Sequence, residues 1–255
     1  MIHQTAVISE EARLHPSVEV GPFVVIEGDV EIGANTRIDA HSIIRGPVRI
    51  GTDNHIFSHT VIGEIPQDLK FAGENTMLEI GDRNRIREFA TIHRGTAGGG
   101  GLTRVGNDTL IMAYAHIAHD CMVGNNVILA NAASLAGHVE VGESAILGGF
   151  AVAHQFCRIG AHSFVGGFSK LSKDVVPFVM ADGPRARAIG LNKEGLKRRG
   201  FNAETISSLN RCFRQLVKRQ GDEQTWRSFE REAEHDSALR LMLEFIQSSE
   251  RGITR

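Results

Sequence analysis

An aliphatic side chain returns every sixth residue along most of this chain. From Ile2 the series runs Ile8, Leu14, Val20, Ile26, Ile32, Ile38, Ile44, Ile50, Ile56, Ile62. It resumes at Ile80, Ile86 and Ile92. After a shift of one it runs from Val105 through Ile111, Ile117, Val123, Leu129, Leu135, Val141, Leu147, Ala153, Ile159 and Val165 to Leu171, with Ala153 its one weak member. Four residues after the aliphatic the side chain is usually small or branched, such as Ala6, Val18, Val24, Thr36, Ala133 or Val139. The residue just after it is often glycine, as at Gly21, Gly33, Gly51, Gly106, Gly124, Gly142 and Gly160. A period of six fits neither the 3.6 of an amphipathic helix nor a long alternating strand.

It fits short strands separated by regular corners, the hexapeptide repeat of a parallel β-helix. The aliphatic and the residue two before it share a strand face and point inward; the residue between them points out. The glycine then falls at the corner, where its backbone freedom suits a turn. The pattern resembles the β-helix of hexapeptide-repeat acyltransferases, whose three hexads per coil would give roughly nine coils over residues 1–176, a prism about 40 Å long at about 4.8 Å per coil. Two segments break the frame, 63–79 ("GEIPQDLKFAGENTMLE") and 93–104 ("HRGTAGGGGLTR"). A solenoid offers little concavity, so loops that leave it are the usual means of building a pocket. The first loop is expected to be functional, and the glycine run of the second merely flexible.

Beyond residue 190 the period changes. In "FNAETISSLNRCFRQLVKR" Ile206, Leu209, Phe213, Leu216 and Val217 fall at helical spacing, with Asn202 placed to cap. "DEQTWRSFEREA" and "DSALRLMLEFIQSS" read as two further amphipathic helices. The predicted organisation is a β-helix over 1–189 and a helical domain over 190–255 that caps the open coil end.

Net charge is −2, so no global field favours nucleic acid or a membrane. No stretch approaches the length of a membrane helix, and the N-terminus lacks the features of a signal peptide. Three cysteines without disulfide or zinc-finger spacing point to the reducing cytoplasm. Charge is nonetheless segregated. Between Gly183 and Arg219 ten Lys/Arg stand against Glu194 and Glu204, a net of +8. That density favours an acidic partner or a phosphorylated ligand. Interleaved aromatics, which nucleic acid would need, are nearly absent.

The frame also sorts the candidate chemistry. In "AHIAHDC" (Ala115–Cys121) Ile117 and Cys121 point inward, while His116, His119 and Asp120 face out. Cys157 is inward as well; His138 and His154 are outward on later coils. An imidazole titrates near neutrality and can take a proton from a hydroxyl. A neighbouring carboxylate would fix its tautomer. His119 with Asp120 is therefore a candidate base, although the same residues also suit plain polar corners. They suit zinc too, since three imidazoles can leave a fourth position open. In the γ-class carbonic anhydrases, built on this type of helix, histidines of two subunits do so. A non-catalytic trimeric scaffold is a third reading.

Several segments in this order resemble one family, the UDP-N-acetylglucosamine acyltransferases that begin lipid A synthesis in Gram-negative bacteria. They are "GEIPQDLKFAGE" (Gly63–Glu74), "IGDRNRIRE" (Ile80–Glu88), "TIHRGT" (Thr91–Thr96), "AHIAHDC", "LAGHV" (Leu135–Val139), "HQFCRIGAH" (His154–His162) and "GLKRRGF" (Gly195–Phe201). The resemblance implies a left-handed helix, where the general crossover rule gives a right-handed one. It implies transfer of an (R)-3-hydroxyacyl group from acyl carrier protein to the 3-hydroxyl of UDP-N-acetylglucosamine. His119 would be the base, Asp120 its support and the Gly137 N–H the oxyanion donor. Gln67, Asp68, Lys70, His116, His138, His154 and Gln155 correspond to sugar and nucleotide contacts. Asn192, Glu194, Arg198 and Arg199 correspond to uridine and phosphate contacts. Gly167 matches the position that limits acyl length, and glycine there implies a longer chain. The family is a cytoplasmic homotrimer with sites between adjacent prisms, and it needs neither metal nor cofactor. Arg185 departs from the pattern, because many relatives carry histidine there.

Overall fold

A computed structural model describes all 255 residues. Parallel strands of two to four residues wind into a three-sided β-helix, joined at its end by one antiparallel strand of five. The first face runs from Val7–Ile8 to Lys170–Leu171, the second from Arg13–Leu14 to Arg158–Ile159, and the third from Glu19–Val20 to Val179–Asp182 and Arg187–Leu191. The faces hold nine, eight and ten strands, so the expected nine coils are present. Paired residues are normally 18 apart, as in Val7 with Val25 and Val25 with Ile43. Three hexads thus close one turn, and like stacks on like. Ile26, Ile44, Ile62, Ile92 and Ile117 form one such column, each fully buried. Burying one such side chain contributes about 1.5–3 kcal/mol. The same stacking on every face fills a continuous core of 38 residues.

The corners correct one expectation. The residue held at positive φ stands three after the aliphatic, not one: φ is 57° at Phe23, 59° at Asp120 and 62° at His138. The glycine after the aliphatic has ordinary angles but no room. A Cβ on Gly33 would lie 2.7 Å from the Gly51 carbonyl carbon, and one on Gly142 2.5 Å from the Ala161 nitrogen. Glycine is there because successive coils approach backbone to backbone.

A buried polar ladder runs inside the corner between the second and third faces, at Thr36, Asn54, Asn84 and Thr109. Asn54 Oδ1 accepts the Asn84 N–H at 2.9 Å, and Asn84 Oδ1 accepts both the N–H and the hydroxyl of Thr109. Each level is tied to the next, which pairs polar groups that would otherwise be costly to bury, although Asn84 Nδ2 has no partner.

Both irregular loops leave at the corner between the first and second faces. Ile62 pairs with Ile92, 30 residues on, and Ile92 with Ile117, 25 on, so the coils close above and below each insertion.

The last coil turns back as an antiparallel pair, Val179–Asp182 with Arg187–Leu191. Four helices follow: α1 (Lys193–Arg198), α2 (Ala203–Cys212), α3 (Glu223–Ala233) and α4 (Ser237–Gln247). Asn202 caps α2 as anticipated, accepting the Thr205 N–H. The segment read as one helix to Arg219 instead changes to a π-helical turn over Phe213–Lys218. A second core of 19 residues joins Leu209, Leu216, Leu239 and Met242 to Val176 and Phe178 of the last coil. No helix is long and apolar enough to cross a membrane.

The close coil approach sets a testable contrast. Gly142→Ala should lower unfolding stability by about 1–3 kcal/mol through overpacking. Gly190→Ala, whose Cβ would meet nothing within 4 Å, should leave the urea midpoint unchanged. Equal midpoints for the two variants would refute the close-approach explanation.

Candidate active site

The corner after the coil strand His116–Ile117 gathers most of the singled-out residues. His119 Nδ1 stands 2.7 Å from Asp120 Oδ2. An ionised carboxylate only accepts, so this nitrogen carries the proton and Nε2 presents its lone pair. The side chain of His119 is 13% exposed and that of Asp120 1%. A substrate can therefore reach the imidazole but not the carboxylate.

Asp120 was expected to face out, and the structure corrects this: the second loop covers it. Oδ1 accepts the Thr96 N–H at 2.8 Å, and Oδ2 accepts the Thr96 hydroxyl at 2.6 Å. The Asp120 N–H donates to Thr103 Oγ1 at 2.7 Å. Thr96 also caps a 3-10 turn, Ala97–Gly99. A Cβ on Gly99 would fall 2.0 Å from Asp120 Cγ, and one on Gly95 2.9 Å from Oδ1. The glycine run is thus not merely flexible: part of it lies directly on the carboxylate. Thr96, Thr103 and Gly99 escaped the sequence reading because a glycine run carries no sign of what lies beneath it.

Gly137, one coil on, packs against the other side of the dyad. A Cβ there would lie 2.4 Å from His119 Cε1 and 2.6 Å from Nε2. Its N–H donates to no protein acceptor. His138 Nε2 lies 3.7 Å from Asp120 Oδ2, and Phe156 stacks on the His138 ring at 4.3 Å.

Two further imidazoles lie alongside. His116 Nδ1 is 2.7 Å from Thr91 Oγ1, and His93 meets the His116 ring edge-on at 5.0 Å. Burial pushes His93 down to about 4, reinforced by His116 and His119 and opposed by Glu64. Burial, then the neighbouring His119, also lowers His116. Burial lowers His138 against the pull of Asp120. His93 has no hydrogen-bond partner for Nδ1. Sequence reasoning gave it no role, although it stands in the "TIHRGT" segment.

Other predicted residues are placed as follows. In the first loop Asp68 Oδ1 accepts the Lys70 N–H at 3.0 Å, while Gln67 and the Lys70 side chain are exposed. His154 and Gln155 are exposed on the coil after His138, with His154 Nδ1 3.1 Å from the Gln155 carbonyl. Asn192 caps α1 and donates through Nδ2 to the His162 carbonyl at 3.0 Å. Glu194 pairs with Lys197 at 3.0 Å, and Arg198 and Arg199 are exposed. This α1 group sits at the corner between the second and third faces, so one chain does not bring it to His119. Arg185 is exposed in the turn before Arg187. Gly167 lies at the third corner beside Phe168, which stacks on Phe150. Burial pushes the Cys121 thiol up to about 12 and that of Cys157 to about 11, which disfavours a thiolate nucleophile.

His119, Asp120 and His138 offer three ligand atoms within 4.8 Å of one another, and such a group can hold a metal ion. It is not the set anticipated for zinc, because His116 lies outside it and bonds Thr91. Asp120 already accepts two bonds from Thr96.

Hexad coils carrying a reachable imidazole on a buried carboxylate define a transferase of the hexapeptide-repeat class. The bacterial transferase hexapeptide family model matches residues 5–46 and 102–137. Residues 174–254 match the second domain of UDP-N-acetylglucosamine O-acyltransferase. Solved relatives agree over the whole chain. The UDP-N-acetylglucosamine O-acyltransferase of Moraxella catarrhalis is 45% identical, with TM-score 0.96, covering 100% of this chain and 99% of that one. LpxA of Acinetobacter baumannii is 41% identical, with TM-score 0.96 and the same coverage. The enzyme of Francisella novicida is 39% identical, with TM-score 0.96, covering 100% and 94%. The chain belongs to the UDP-N-acetylglucosamine O-acyltransferase family, and its β-helix is left-handed.

Thr96 provides a direct test of the dyad's support. Thr96→Val removes one donor from a buried carboxylate and should cost about 1.5–3 kcal/mol in urea unfolding. Thr96→Ser should retain most of it. Equal stability of the two variants would show that the hydroxyl contributes nothing.

Proposed function

We propose that this acyltransferase moves an (R)-3-hydroxyacyl group from acyl carrier protein to the 3-hydroxyl of UDP-N-acetylglucosamine, the step that opens lipid A synthesis. The observation that carries the mechanism is the 2.7 Å contact from His119 to Asp120, with the opposite ring nitrogen beside Gly137. His119 Nε2 takes the proton of the sugar hydroxyl, and the oxygen adds to the thioester carbonyl. Asp120 stabilises the imidazolium that forms. The oxyanion is met by the free N–H of Gly137, a donor worth about 3 kcal/mol in comparable sites. Collapse of the adduct expels the thiolate, which recovers the proton from His119. Transfer from a thioester to an alcohol needs only a base and an oxyanion donor, so the reading requires no metal or cofactor.

In this reading Gln67, Asp68, Lys70, His116, His138, His154 and Gln155 hold the sugar and diphosphate on one protomer. Asn192, Glu194, Arg198 and Arg199 hold the uridine end from the next, within a homotrimer. Two observations support the assembly. The first face turns Val7, Val25, Ile43 and Val61 outward, and the third face Leu110, Ile128, Ile146 and Phe164. Between these faces Phe23, His41, His59, Phe89 and Tyr114 stack along the corner at 4.9–5.1 Å. Most of that ladder is open to solvent in one protomer, as suits surface covered by another copy. The +8 segment suits an acidic carrier protein. Three buried free thiols suit the cytoplasm.

Incubation with hydroxyacyl carrier protein and UDP-N-acetylglucosamine tests the reaction. His119→Ala should lower kcat about 10²- to 10⁴-fold. A wild type that forms no acyl-UDP-N-acetylglucosamine, or a variant that matches it, would sink the reading. Gly167 generates a second expectation. A panel of donors should show preference for longer hydroxyacyl chains, shifted to shorter ones by Gly167→Met; a wild type that prefers the shortest donors would refute it.

A further inference from the structure

The corner between the third and first faces carries an unbroken stack of rings. Phe23, His41, His59, Phe89 and Tyr114 occupy its left-handed position on successive coils, at φ of 57–63°. Neighbouring ring centroids are 4.9–5.1 Å apart, and neighbouring planes lie within 3–12° of parallel. The planes therefore lie across the long axis of the prism, and the ring edges point out of the corner. Such small angles also mean that the corner runs straight. All five residues are exposed.

Two of the five are polar. His3, His15, His55 and His119 each meet an oxygen of their own chain. The rings of His41 and His59 meet none. His41 is stacked between Phe23 and His59, and His59 between His41 and Phe89.

The outward side chains of the three faces say where this corner goes. The second face turns out a column of opposed charges, Arg13, Glu31, Arg49, Glu79 and Arg104. Arg13 and Arg49 each reach Glu31 at 3.4 Å, and Arg104 reaches Glu79 at 2.6 Å. Such a face suits water. The first face turns out Val25, Ile43 and Val61, and the higher coils of the third face Leu110, Ile128 and Ile146. A closed ring of three identical prisms joins first face to third face. The second face is then outside, and the corner shared by the other two comes to the threefold axis in all three copies.

On that axis each histidine layer becomes three imidazoles whose edges converge in one plane. Phe23 lies on one side of the two layers and Phe89 on the other, so water has little access. A buried nitrogen without a partner is costly. A neutral imidazole offers one lone pair, and three of them are an established donor set for a divalent metal, with a fourth position left for water.

We propose that the threefold axis of the trimer holds a divalent transition-metal ion, such as zinc, on three copies of His41 or three of His59. The inference rests on the trimer of the reading above, since one chain supplies only one ligand to each layer. The layers are 4.9 Å apart, and two dications so close repel strongly, so the trimer takes one ion. The ion is structural. It lies at a different corner from the His119–Asp120 dyad and takes no part in acyl transfer.

Full-length protein is equilibrated with zinc and passed through gel filtration; its mass is then read by light scattering and its metal by atomic emission. The wild type should be a trimer with one zinc per three chains. His41→Asn and His59→Asn keep a residue that tolerates the left-handed backbone. One of the two should lose the ion, and the double variant should lose it entirely. The double His41→Phe, His59→Phe variant, which preserves the ring stack, should also lose it while remaining trimeric. Zinc should raise the melting temperature of metal-free wild type by about 2–4 °C and leave both double variants unchanged. A trimer that binds no zinc would overturn the site and leave the assembly standing; a monomer would overturn both. Zinc retained undiminished by the double variants would place it on another group, such as His119, Asp120 and His138, and would equally overturn the proposal.

Discussion

Everything in this molecule depends on the registry of one coil upon the next. Eighteen residues close a turn, and each inward isoleucine or valine then rests on its counterpart one layer away. That stacking fixes the spacing of the backbone, and the spacing dictates the corners. Glycines follow the aliphatics because neighbouring coils leave no space for a Cβ. Three residues after each aliphatic the chain must take the left-handed conformation, which aspartate, asparagine and histidine tolerate better than most side chains. Asp120 and His138, one coil on, occupy those positions. The geometry that closes the coil therefore also aims the polar groups.

Registry also explains where chemistry is possible. A straight prism has convex corners and flat faces, and neither encloses a ligand. The two loops escape at a single corner, and the coils above and below them pair as if nothing had been inserted. One loop presents Asp68 and Lys70; the other covers Asp120. The α1 group (Asn192, Glu194, Arg198 and Arg199) stands at a different corner of the prism.

The hexad frame made the coil count, the inward and outward residues and the capping helices legible, because period and burial are the same information in a solenoid. It identified His119 and Asp120 as neighbours at a corner. It misjudged the surroundings of Asp120, since alternation along a strand cannot report what an inserted loop places above it. It misread the glycines after the aliphatics for a related reason: contact between coils is non-local, while backbone freedom is the local explanation nearest to hand. The Thr36–Asn54–Asn84–Thr109 ladder was hidden because threonine and asparagine at an inward position look like exceptions until their partners one coil away are seen. Short elements fared worst, and the six residues of α1 and the π-helical turn left no periodic trace.

The dyad is enclosed largely by main chain. Gly99 lies against the carboxylate and Gly137 against the imidazole, each too close for any side chain. Glycine walls have no rotamers. In the proposed reaction charge shifts from a hydroxyl to an imidazole and onto a carbonyl oxygen, and little around the dyad would have to turn to meet it, because the Gly137 peptide group is already fixed in the coil. Donors fixed in this way meet developing charge with little reorganisation. The rigidity of the site comes from close main chain together with the Thr96 and Thr103 side chains that hold the carboxylate.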